Sequence, residues 1–124
     1  MELIERIEQF TQDGRSFMYI DYSGIRTNED FLEFIAFIEP QIAKYPEASL
    51  YMITNIEDIR FDSKSREIIT KHLEHNKPYI KYSVIIGLDG IKKVMINNIF
   101  KMVKRENVYF AFSKEKAIEW LMER

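Results

Sequence analysis

The chain has 124 residues, a net charge of −2, 46% hydrophobic and 14% aromatic residues, and no cysteine. Such a composition describes one globular domain, residues 1–124, that can bury roughly two-thirds of its unfolded surface. It excludes disulfides, thiolate nucleophiles and Cys-ligated metals, and supplies no bulk positive field to gather nucleic acid.

In chain order, the opening "MELIERIEQF" breaks with acids the apolar stretch that a secretory signal needs. No apolar run approaches the ~20 residues that cross a bilayer, so a cytoplasmic protein is expected. Asp13-Gly14 has the composition of a tight turn, so Ile4 to Phe10 is read as a strand antiparallel to "SFMYIDY", Ser16 to Tyr22. A short helix using Leu3, Ile7 and Phe10 is the competing reading. Thr27 with Asp30 then opens a helical pattern whose stripe is Phe31, Phe34, Ile35, Ile38 and Ile42, with Leu32, Ala36 and Phe37 beside it. Pro40 predicts a kink or a tightened last turn.

"SLYMITNI" (Ser49 to Ile56) is the next strand, followed by a helix over "DSKSREIITKHLEHNKP" that buries Ile68, Ile69 and Leu73 and stops at Asn76 to Pro78. "YSVIIGL" (Tyr82 to Leu88) leads to a helix from an Asp89 cap to Arg105, and "VYFAF" (Val108 to Phe112) to a final helix capped by Ser113. Runs apolar at both alternate positions indicate strands covered on both faces. Their alternation with helices predicts an α/β fold: a mostly parallel four- to five-stranded sheet, about four helices and an antiparallel N-terminal edge.

Several pieces of the chain coincide with one family pattern. "YIDYSG" ends the first long strand, "RFDS" opens the second helix, "HNKPYIKYSVIIGLDGIKK" joins that helix to the third, and "FSKEKAIEWL" closes the chain. Together, and in this order, they resemble the SpoIIAA-like branch of the STAS superfamily, a fold shared with CRAL-TRIO lipid-binding domains. The resemblance implies a sheet of four or five strands with helices packed over it, and for this branch little about activity. Better-known STAS relatives are anti-sigma-factor antagonists that bind partner proteins and are switched by phosphorylation of a serine. That serine opens the helix after a central strand, in an Asp-Ser-Ser-Gly-like turn.

The corresponding turn here is Asp62-Ser63-Lys64-Ser65, preceded by Arg60. It lacks the glycine and gains cations. Asp62 or Ser63 is a natural helix cap, and a phosphate on Ser63 would meet the same free amides. Asp21 and Ser23 end one strand while Thr54 and Asn55 end the next, which puts them on a common edge with Ser63, where a polar ligand or partner would bind in a parallel sheet.

The third helix offers the remaining signal. Lys92, Lys93, Lys101, Lys104 and Arg105 lie in an acid-free stretch, and its apolar side is read as Ile91, Val94, Met95, Ile99, Met102 and Val103, with Ile96 and Phe100 off that side. Such a helix suits an acidic partner, an anionic membrane surface or an apolar ligand. His72 and His75, the only histidines, have no third ligand beside them, so no metal is expected. No nucleophile and base are paired, no phosphate loop is present and no cofactor is indicated. The function expected is a regulatory or protein-interaction module, self-associating or binding another protein. The alternative is a sensor of a lipid or other small apolar molecule held under the third helix.

Overall fold

The computed structural model describes residues 2–88 and 90–124. Asp13 and Gly14 both adopt positive φ, 50° and 75°, the backbone of a primed hairpin turn. Strand β1 (Ile7–Gln12) therefore pairs antiparallel with β2 (Arg15–Asp21). The hairpin expectation holds, but the strand starts at Ile7 rather than Ile4, because Leu3–Arg6 close a single 3₁₀ turn.

Parallel crossovers follow: α1 (Asn28–Ile42), β3 (Leu50–Asn55), α2 (Ser63–Asn76), β4 (Ile80–Ile86), α3 (Gly90–Met102), β5 (Val108–Ala111) and α4 (Lys114–Met122). Thr27 and Ser113 cap α1 and α4 by accepting from the Asp30 and Lys116 amides. The Asp89 cap expected for α3 lies outside the described residues. Helix α1 ends at Ile42, soon after Pro40.

The sheet order is β1-β2-β3-β4-β5, with no reversal. A right-handed crossover between neighbouring parallel strands delivers its helix to one particular face, so this order stacks α1, α2 and α3 on the same side. Met18, Ile20, Met52 and Ile85 point to that side and pack on Phe34, Ile38, Ile69 and Ile99. The opposite face carries Phe17, Tyr51, Ile53 and Val84, covered by α4 through Ala117 and Leu121. Among the described residues no helix is long and apolar enough to cross a membrane.

Two expectations about α3 are corrected. The helix ends at Met102, not Arg105. Its buried face is Ile96, Ile99, Phe100 and Val103, whereas Ile91 and Met102 are 78% and 58% exposed. The helix carries apolar residues on two opposite sides, and hydropathy cannot tell which side the sheet takes. The spacing of Ile96, Ile99, Phe100 and Val103 gives the tighter seam, and the large Phe100 ring settles into the core.

Gly87 closes the turn after β4 at φ +87°, where a Cβ would lie 2.7 Å from both Asn55 Oδ1 and the Glu57 amide nitrogen. Gly24 has φ +74° but open space around it. In urea denaturation, Gly24→Ala is expected to cost about 1 kcal/mol from backbone strain alone, and Gly87→Ala about 2–4 kcal/mol. Equal losses would contradict the packing argument.

Candidate functional site

The polar turn before α2 is a helix cap. The Asp62 side chain accepts from the Ser65 amide at 2.9 Å, and the Ser65 hydroxyl accepts from the Asp62 amide at 2.6 Å, a reciprocal box. Arg60 Nε reaches Asp62 Oδ2 at 2.6 Å. The Ser65 amide, then Arg60, hold the Asp62 carboxyl below the usual carboxylate range. Ser65 is buried inside the box, whereas Ser63, the first helical residue, is exposed.

The strand-end residues divide. Asp21 and Asn55 are register partners across β2 and β3, but each closes its own turn: Asp21 Oδ1 accepts from the Ser23 amide and Asn55 Oδ1 from the Glu57 amide. At the ends of β2 and β3 both following helices, α1 and α2, lie on the same face, so the connections do not diverge there. Among the strand-end residues Thr54 lines an interior cavity, whereas Asp21 borders a surface cleft with Arg6 and Gly24.

That cavity, of about 40 Å³, lies between the sheet and helices α2 and α3. Met52, Ile69, Ile85, Ile96 and Phe100 give it apolar walls, and every lining residue except Thr54 and Leu73 is buried. Of the α3 residues expected to hold a ligand, Lys92, Lys93, Met95, Ile99 and Met102, none lines it. Lys92 Nζ donates to the Ile59 carbonyl at 3.3 Å, Lys93 lies 5.1 Å from the Phe110 ring centroid, Met95 is half-buried and Ile99 packs into the core.

One wall is polar. The Tyr22 hydroxyl lies 2.6 Å from His72 Nε2, and His72 Nδ1 lies 2.7 Å from Glu39 Oε2. Asn76 Nδ2 also approaches His72 Nε2, at 3.3 Å. These contacts are all satisfied by one assignment, a neutral imidazole whose Nδ1–H donates to Glu39 while Nε2 accepts from Tyr22 and Asn76. Burial keeps His72 below the ordinary histidine value, with Glu39 only partly offsetting it. For Glu39, burial pushes upward, but the hydrogen bond from His72 acts against it, and the carboxyl sits low. Burial, then Glu39, drives the Tyr22 hydroxyl upward, so it stays protonated.

Arg105 completes the polar wall. Lys104 takes φ +59°, its amide donates to the Lys101 carbonyl, and the Arg105 amide donates to the Phe100 carbonyl. This is a Schellman ending, with the left-handed residue supplied by lysine rather than glycine. It turns Arg105 back over the helix, its guanidinium carbon 5.0 Å from the Phe100 ring centroid. The side chain, expected on the solvated basic face, is thus only 5% exposed. Its Nε and Nη2 have no protein partner, and no ion pair among the described residues involves it. Burial lowers its pKa to about 10, so it is charged at neutral pH.

No protein-family model matches the chain, and no curated protein matches it. A solved structure does, with a TM-score of 0.69 over 93% of this chain and 91% of the other, at 14% identity. It is an uncharacterised protein of the DUF3478 family from Shewanella loihica PV-4, with a SpoIIAA-like fold. The present chain has a SpoIIAA-like fold. The likeness at this identity is one of architecture.

Sequence reasoning passed over Glu39, His72, Asn76 and Arg105. A histidine on the Ile68–Ile69–Leu73 face of α2 was the available signal for His72. For Arg105 no signal existed, since a lysine in the left-handed region is not marked by composition.

The neutral His72 fixes the sign of the pH dependence. Its folded value lies below the unfolded value of 6.5, so its contribution is present above 6.5 and lost as pH falls. Glu39, also lowered, acts in the same direction at more acidic pH. Unfolding free energy is therefore expected to fall steadily on acidification from about pH 7 to about pH 5. Tyr22→Phe is expected to lose about 1–3 kcal/mol by denaturant titration, because His72 Nε2 loses its shorter donor. A flat pH profile or a neutral Tyr22→Phe would contradict the assignment.

Proposed function

We propose that this chain is a non-catalytic regulatory module that binds a small apolar molecule between the sheet and helices α2 and α3. The observation that carries this reading is the cavity of about 40 Å³, with apolar walls on most sides and a cluster of polar groups at one place. Protein interiors close-pack, and voids above the size of one water are few in a domain. A concave apolar space with a few convergent polar groups is the usual form of a small-molecule site. His72, the one imidazole in the wall, is held between the Tyr22 hydroxyl and Glu39, and burial keeps Tyr22 protonated, which supports a structural role for these groups.

The same two helices offer the surface on which a partner would read the bound state. Ile91, Val94 and Met102 face outward from α3, with the exposed Lys101 and Lys104 nearby. This favours a contact with an acidic protein surface or with a second copy. Ser63 stands exposed at the start of α2, where STAS relatives carry their switch. A ligand larger than the present cavity would press α3 outward and alter that surface.

Native mass spectrometry of the gently purified protein tests the reading. One small apolar ligand per chain is expected, and Ser83→Leu, which fills the cavity from β4, is expected to fold and to lose it. A ligand that survives the filled cavity, or a ligand-free dimer as the sole species, would overturn it and leave protein contact as the function.

A further inference from the structure

Arg105 places a demand on whatever fills the cavity. It is 5% exposed and lines the wall, and it has no ion-pair partner among the described residues. Its Nε and Nη2 are enclosed and have no protein partner among the described residues. Those two nitrogens form one edge of the guanidinium, with parallel N–H bonds spaced for the two oxygens of a planar carboxylate.

We propose that the cavity's ligand is a short-chain carboxylic acid, bound as its anion and paired with the Arg105 guanidinium, with its hydrocarbon against Met52, Ile69, Ile85 and Ile96. The proposal rests on the ligand-binding reading above and narrows it to one chemical class. The polar neighbours support the choice. Tyr22 directs its one hydrogen to His72 and so is not free to hold an anion, whereas Asn76 gives one of its two N–H groups to the same nitrogen. Glu39 is bonded to His72 on the side away from the cavity and does not line it, so no carboxylate repels the ligand from the wall.

Competing ligand classes fit less well. A neutral hydrocarbon or alcohol would leave a buried charge without a counterion, the arrangement folded proteins avoid. A phosphate brings a second negative charge to a site whose one cation is Arg105, and the Thr54 and Ser83 hydroxyls among its walls add no charge to match it. The cavity, about 40 Å³, admits a few atoms beyond the head group and no long acyl chain without movement of α3.

Titration of the intact protein, followed by NMR, tests this with butyrate, 1-butanol and inorganic phosphate as probes. Butyrate is expected to bind at least tenfold more tightly than 1-butanol, to shift the Arg105 Nε–H resonance downfield and to move the Ile69, Ile85 and Ile96 methyls. In Arg105→Met that preference is expected to vanish while 1-butanol binding remains. The Nε–H readout needs no variant, so it decides the matter even if Arg105→Met does not fold. Equal binding of butyrate and 1-butanol by the wild type, with Nε–H unmoved, would overturn the carboxylate proposal and leave the apolar-ligand reading standing. Binding of phosphate alone would overturn the proposal in favour of an inorganic anion. Binding of none of the three would overturn both and mark the cavity as water-filled.

Discussion

Tyr22, His72 and Glu39 form a hydrogen-bonded line from the end of β2, through α2, to α1. The line joins three elements across one sheet face, and each member is satisfied only when the other two are in place. Buried polar chains of this kind tolerate little sliding, because any displacement leaves an unpaired group in a medium of low dielectric. The line holds α2 against α1 at the polar end of the face. It leaves α3 to close the other side with Ile96, Ile99 and Phe100, packing that is apolar and less directional. The cavity lies where these two kinds of packing meet.

This arrangement follows from topology as well as from side chains. Because the strand order never reverses, α1, α2 and α3 share one face and α4 covers the other alone. Between β2, β3 and β4 the connections therefore do not diverge. The groups at the strand ends, Asp21 and Asn55, close turns instead. In the interior, the charged group that stands unmatched among the described residues is the Arg105 guanidinium.

The fold was legible because strong local signals agreed with each other. Asp13-Gly14 marked the hairpin, Thr27 and Ser113 marked helix starts, and the β-rich runs fell at crossover spacing. The site was legible only in outline. The Asp62 cap was readable, since its chemistry is confined to four adjacent residues. The rotation of α3 was not, because apolar residues occupy both of its sides and the choice between them depends on the shape of the sheet beneath. Arg105 was misplaced for a related reason. Its burial depends on a left-handed Lys104, which reverses the chain without a glycine to announce it. The Tyr22–His72–Glu39 line joins residues far apart in sequence, and pairing of that kind leaves no periodicity to detect.

The central claim is that the interior between α2, α3 and the sheet is a binding space and not a packing flaw too small to admit a guest. Methyl NMR of isoleucine-labelled protein under xenon pressure tests that claim without reference to any head group. The account predicts saturable shifts at Ile69, Ile85 and Ile96, which line the space, and none at Ile53, which lies on the other face of the sheet. Unmoved lining methyls, with shifts confined to the exposed Ile4 and Ile91, would contradict it.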